Sequence, residues 1–229
     1  MNTGTLYLVS TPIGNLGDIT FRAVEILKSV DLIACEDTRH SRILLDHYDI
    51  RKPLVSYHNY SEKERAVSMV EKIKNGTNVA LISDAGTPGI ADPGYRLIAG
   101  AIREGIRIET LPGASAILPA LVLSGLPVDR FMFEGFFPVK SGQRKIKLLA
   151  LKDETRTVIF YESPHRLLKT LAAIQETLGD IEIVVARELT KKFEEVLRKK
   201  VSETITYFSN KKILGELVVL FNLSVRKGL

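Results

Sequence analysis

The side chains able to do chemistry in this sequence stand directly behind short apolar runs. EDTRHSR at residues 36–42 follows LIAC and brings two acids, an imidazole (His40) and two guanidinium groups, Arg39 and Arg42. SDAGTPGIADPG at residues 83–94 follows VALI and sets Asp84 and Asp92 among three glycines and two prolines. His58 and Asn59 follow LVSY, YESPHR at residues 161–166 presents Glu162 and His165, and RELTKK at residues 187–192 presents Glu188 and Lys191. Carboxylates and imidazoles orient or accept protons. Arginines three apart share a helical face and suit a phosphate better than catalysis. Plainer roles stand beside these. Asp37 or Thr38 suits a helix N-cap, an Asp before a helix does the same, and a histidine in a loop is often only solvated.

The elements behind these residues alternate. Apolar runs at residues 6–9, 31–35, 54–57, 79–82 and 106–111 read as strands, and the segments between them repeat apolar residues at helical spacing. Five strands alternating with helices predict a parallel, doubly wound α/β domain whose strand carboxyl ends face a ligand. An ordinary strand-to-helix connection runs about 2 to 6 residues, so the long loop at 83–94 reads as a stiff, backbone-rich wall of a ligand site. Glycine lets backbone approach closely, and Pro88 and Pro93 fix φ. PGASA at residues 112–116 supplies a second such corner, with small residues and free N–H groups at a helix start. Close helix packing would also want small residues there. The loop after the first strand, STPIGNLGD, does not complete G-x-G-x-x-G, so a standard nicotinamide dinucleotide site is rejected.

Ser61 with Glu64 predicts a capping box for the third helix. After Gly125 the texture changes to aromatic strands, and two strands close in sequence predict a mixed sheet. The fold class is therefore α/β, as two α/β domains: residues 1–124 with a parallel sheet and residues 125–229 with a mixed one, with a cleft between them.

Composition narrows the function classes. The 229 residues carry 32 Lys and Arg against 27 Asp and Glu, a net charge of +5 that admits an anionic partner without requiring one. The single cysteine, Cys35, lies in an apolar run, so it reads as a buried thiol, and a reducing cytosol is the expected compartment. The N-terminus lacks a signal-peptide pattern, and no apolar tract is long enough for a membrane span. The four histidines, at positions 40, 47, 58 and 165, lack metal-ligand spacing, so no metal is expected.

Taken in order, STPIGNLGDIT, EDTRHS, residues 83–94, PGASA and YESPHR resemble the ribosomal RNA small subunit methyltransferase I family, the ribose-methylating branch of the tetrapyrrole methylase superfamily. The resemblance covers essentially the whole chain. It implies S-adenosyl-L-methionine as methyl donor, bound in the cleft between the domains, and 2'-O-methylation of a cytidine in 16S ribosomal RNA. It also implies the small ribosomal subunit as partner, a homodimer, and a cytoplasmic location. Carried over by motif, the cofactor would meet Pro12, Asp84, Ala85, Gly86, Ile90, Ser115, Ala116, Tyr161, Glu162 and Leu189. Longer members of that branch carry a small helical extension, whereas this sequence stops at Leu229. Ribose methylation needs a group to orient or deprotonate the hydroxyl, and the candidates at predicted strand ends are Asp37, His58, Glu162, His165 and Glu188. Arg39, Arg42, Arg51, Lys52, Lys140, Arg144, Lys145, Lys191 and Lys192 are the expected RNA contacts. Two alternatives compete: a methyltransferase of the same superfamily acting on a tetrapyrrole or other small molecule, and a non-catalytic, cofactor-sensing RNA-binding protein.

Overall fold

A computed structural model describes residues 3–58 and 62–224. The expected capping residue Ser61, with Asn59, lies outside them. The chain divides into two compact units, Met1–Ser115 and Ala116–Leu229.

The first unit contains β1 (Thr5–Val9), α1 (Phe21–Ser29), β2 (Leu32–Cys35), α2 (Thr38–His47), β3 (Leu54–Ser56), α3 (Glu62–Lys74), β4 (Val79–Ile82), α4 (Tyr95–Arg103) and β5 (Arg107–Leu111). Its strands run in the order β3-β2-β4-β1-β5, and every pairing is parallel. Alternate side chains of one strand serve opposite faces. Val79 and Leu81 pack with Leu6, Ala34, Met69, Ile73 and Leu97 beneath α3 and α4. Ala80 and Ile82 pack with Val9, Ile33, Leu27 and Leu45 beneath α1 and α2. With both faces covered, β4 is buried along its whole length, which is why its sequence shows no polar alternation.

The second unit contains α5 (Ile117–Ser124), β6 (Phe131–Phe136), α6 (Ser141–Ala150), β7 (Thr157–Glu162), α7 (Leu167–Leu178), β8 (Glu182–Arg187), β9 (Glu195–Lys200), α8 (Val201–Ser209) and β10 (Leu217–Phe221). The sheet order is β6-β7-β10-β8-β9. The β6–β7 pair is parallel and the other three are antiparallel, so the sheet is mixed as expected. Helix α5 packs on β8, β9 and β10 and so belongs here, nine residues earlier than the sequence boundary at 124. Gly125 takes the left-handed conformation (φ 75°) that ends α5. The Gly-Leu-Pro signal therefore marks a helix C-terminus rather than a change of domain.

Candidate functional site

In the first unit the loops behind neighbouring strands are tied to each other. Strand β1 lies between β4 and β5, so three carboxyl ends stand side by side. Thr11 N–H donates to the Gly86 carbonyl and Gly86 N–H to the Thr11 carbonyl, both at 2.9 Å. The Thr11 hydroxyl donates to the Ser83 carbonyl at 2.9 Å, the Ser83 hydroxyl to the Gly86 carbonyl at 3.0 Å, and Ser10 and Thr87 share a hydroxyl hydrogen bond at 3.0 Å. Pro12, Ile13 and Pro88 are buried beside them. Gly86 has φ +84°, which only glycine adopts without strain. A Cβ on Gly113, behind β5, would stand 2.8 Å from the Ser10 Cβ. Three strand ends thus meet through bare backbone.

The far end of the same loop is fixed differently. Glu62, at the start of α3, accepts from the Gly94 and Arg96 N–H groups at 3.1 and 3.2 Å and so caps α4 from a neighbouring helix. Ala91 holds φ +64° in between, a strained non-glycine position of the kind that gathers at functional loops. Ile90 projects into solvent.

Carboxylates behind β2 and β4 converge, with His58 following β3. Asp37 accepts from Arg39 N–H at 2.8 Å and His40 N–H at 3.4 Å as the N-cap of α2, and these bonds hold its carboxyl below the ordinary range. Asp84 Oδ1 in turn accepts from Asp37 N–H at 3.2 Å. Glu36, one residue earlier and half-buried, has its carboxyl pushed up by burial, then by the Asp84 charge, with His58 acting in the opposite sense. A half-buried carboxylate with a raised pKa beside an imidazole is better fitted to take a proton than a capping Asp. The sequence list of candidate bases included Asp37 and omitted Glu36. The signal was position: Glu36 directly follows the last residue of β2, while Asp37 stands immediately before the helix, where caps sit. Burial pushes the Cys35 thiol up as well, in keeping with a packing residue.

In the second unit the acids are committed. Glu162 is buried: one oxygen accepts from Ser163 N–H at 2.8 Å and pairs with Arg166 at 2.8 Å, and the other accepts from the Thr170 hydroxyl at 2.5 Å. Such a carboxylate organises the turn between β7 and α7, buried with a donor on each oxygen. Glu188 pairs with Lys191 at 3.0 Å and lies over Gly215, where a Cβ would collide with its carboxylate. Glu188 and Thr190 take φ +51° and +65°, with Leu189 buried between them. His165 is exposed in the turn before α7. Tyr161 is flanked by Phe133 and Phe136, ring centroids 4.9 and 5.4 Å away. Residues three apart in a regular strand point to opposite faces; the register shift between these two, at Gly135 with φ +63°, turns both toward Tyr161.

The chain's sequence places this geometry among known proteins. The family model described as tetrapyrrole (corrin/porphyrin) methylases matches residues 5–205. Ribosomal RNA small subunit methyltransferase I of Thermotoga maritima is 48% identical over 219 residues, covering 96% of this chain and 98% of that protein. The protein of the same name from Haemophilus influenzae is 56% identical over 195 residues, covering 85% of this chain and 69% of its own length. The chain belongs to the tetrapyrrole methylase family, in its ribosomal RNA small subunit methyltransferase I group. Among solved structures, a diphthine synthase aligns with TM-score 0.77 at 15% identity, covering 96% of this chain and 90% of that one. A uroporphyrin-III-C-methyltransferase from Thermus thermophilus aligns with TM-score 0.67 at 19% identity, covering 96% of each. These likenesses show the shared tetrapyrrole methylase fold. The alternative of a tetrapyrrole acceptor is not favoured, since the relatives near half identity carry the RNA methyltransferase name.

For a tetrapyrrole methylase of the RNA group, the cations expected to face RNA fall into distinct classes. Arg39 and Arg42 are exposed on α2, with Arg51 and Lys52 on the segment leading to β3. Lys140 and Lys192 are exposed, whereas Lys145 pairs with Glu176 at 2.6 Å and Lys191 with Glu188. Arg144 is a correction: it is 5% exposed and donates to the Pro138 and Val139 carbonyls at 3.2 and 3.0 Å. It closes the turn into α6, with its guanidinium buried against backbone carbonyls and turned away from solvent. Among the described residues, no group of three or more His, Cys, Asp or Glu is arranged to hold a metal, and no helix is long and apolar enough to cross a membrane.

Proposed function

We propose that this chain is an S-adenosylmethionine-dependent methyltransferase of small-subunit ribosomal RNA whose acceptor is a cytidine ribose 2'-hydroxyl. The observation that carries the reading is near-half identity along the full length of a ribosomal RNA small subunit methyltransferase I. The first unit suits the donor. Gly86 takes a φ that only glycine adopts without strain, Gly113 leaves bare backbone where a side chain would meet Ser10, and Thr11, Ser83 and Thr87 hold that backbone still. Pro12, Asp84, Ala85, Gly86, Ile90 and Ser115 are the residues of this unit that would meet the donor.

When bound, S-adenosylmethionine supplies a methyl group on a sulfonium, which leaves as a neutral thioether as the ribose oxygen takes the methyl. The protein's part is to align the hydroxyl and to accept its proton. Glu36, with His58 beside it, takes that proton; Asp84 is held in place by the Asp37 N–H and keeps the Glu36 carboxyl less acidic. Arg39, exposed at the first turn of α2, receives the backbone phosphate of the incoming RNA.

The reading extends to a homodimer acting on the small subunit in the cytoplasm. Exposed Phe136, Val139 and Ile146 in the second unit supply apolar surface for self-association. The test is to map ribose methylation in small-subunit RNA from cells lacking this protein, with and without re-expression. One cytidine 2'-O-methyl group should vanish and return; an unchanged map would overturn the proposal.

A further inference from the structure

One feature of the first unit lies outside the reacting group: a cavity of about 320 Å³ between α2 and the segment that enters β3, the edge strand of its sheet. Its apolar lining is Leu45 and Ile50, both buried, with half-buried Leu54 and exposed Pro53 beside them. Its rim is charged, with Arg42, Arg51 and Lys52 against a single carboxylate, Asp46. Arg42 and Asp46 are four residues apart on α2 and so face the same side. Arg51 is largely free in solvent, its contact to Asp49 stretching to 4.0 Å with both side chains exposed.

We propose that this cavity seats one nucleotide of single-stranded RNA flanking the methylated cytidine, an inference that rests on the ribosomal RNA reading above. The charge pattern selects the occupant. Three cations beside an apolar lining match a phosphodiester joined to a flat base. Guanidinium planes and apolar side chains stack on splayed bases, and a carboxylate accepts from exocyclic or ring N–H groups. Arg42 and Lys52 hold the phosphate, Arg51 covers the base, and Asp46 reads its edge, favouring a base that presents a donor there. Helix α2 fixes the spacing. At about 1.5 Å of rise per residue, Arg42 stands roughly 4.5 Å along the axis from Arg39, itself in the first turn beyond the Asp37 cap. A strand laid along α2 would therefore meet Arg39 first and Arg42 next.

The experiment measures binding of a fluorescent single-stranded fragment of small-subunit ribosomal RNA to the full chain over a salt series. The Arg42→Gln/Lys52→Gln double variant should weaken binding about tenfold and shallow the salt slope by roughly 1 to 2. A charge-matched control, Lys72→Gln/Arg103→Gln on α3 and α4, should change affinity less than threefold. Asp46→Asn should alter base preference among competing oligonucleotides while leaving the slope intact. Equal losses in the double variant and the control, or an Asp46→Asn variant with unaltered preference, would overturn the proposal. Labelled-methyl incorporation by the unmodified chain separates the two levels. Incorporation with unaffected variants defeats the cavity alone, and a chain that neither binds nor methylates the RNA defeats both readings.

Discussion

The two units place acids at the ends of their strands in opposite ways. In the first, Glu36 stands half-buried with a raised pKa, close to Asp84, Asp37 and His58. In the second, Glu162 and Glu188 each have a cationic partner: Arg166 and Lys191, at 2.8 and 3.0 Å. A carboxylate crowded by like charges is poised to take a proton, while one satisfied by arginine and hydroxyl donors organises backbone. The difference points the search for a proton acceptor to the parallel unit and gives these acids of the mixed unit a structural role.

The largest expected effect breaks or confirms that division. Glu36→Gln should lower kcat by about 100-fold or more with cofactor binding preserved, the scale of a lost general base. It should also remove the acidic limb of the pH–rate profile, which lies above the ordinary Glu value of 4.5 because burial and Asp84 raise the pKa. Asp37→Asn should cost far less in kcat, since an Asn still caps α2. Comparable losses in the two variants would show the division to be wrong.

Next in size, Glu162→Ala should destabilise the second unit by about 3 kcal/mol. It leaves Arg166 without its carboxylate partner and the buried Thr170 hydroxyl without its acceptor. Activity per folded molecule should stay within a few fold, as judged by denaturant melts run beside turnover. A smaller effect should follow Gly86→Ala, where the φ of +84° imposes strain of about 1 to 2 kcal/mol. Calorimetry should show weaker donor uptake there.

The smallest effect lies far from both sites. Arg156 donates to both oxygens of Glu154, and the two backbone N–H groups of residues 155 and 156 add to this, holding its carboxyl at about 2 against an ordinary 4.5. A carboxyl whose pKa is depressed on folding contributes stability above its unfolded pKa and loses it as pH falls through the folded one. The loss should therefore run from about pH 4.5 down to 2, and Arg156→Gln should narrow that window in acid titrations.

Much of the parallel unit was legible because most of its strands are short apolar runs followed by polar, glycine- or proline-bearing loops. VALI is a strand in full, and Arg39 and Arg42 share a helix as their spacing implied. Strand order was not legible, since β4 enters between β1 and β2 through tertiary packing that no local pattern encodes. Arg144 reads in sequence like its neighbours Lys145 and Lys147; only the turn at Pro138 and Val139 reveals where its guanidinium goes. Glu162 was misleading for a related reason. Its strand-end position suits a base, and the Arg and Thr that occupy it sit four and eight residues further along α7's approach and first turn.

The central claim is methyl transfer to an RNA ribose by a chain whose donor seat lies in the parallel unit. Its most direct measurement incubates the purified chain with isotopically labelled S-adenosylmethionine and unmethylated small ribosomal subunits, then locates the label by nuclease digestion and mass spectrometry. The account predicts one labelled methyl per subunit, on a cytidine ribose oxygen. Label on a base, or label passed only to a porphyrin offered in the same tube, would contradict it.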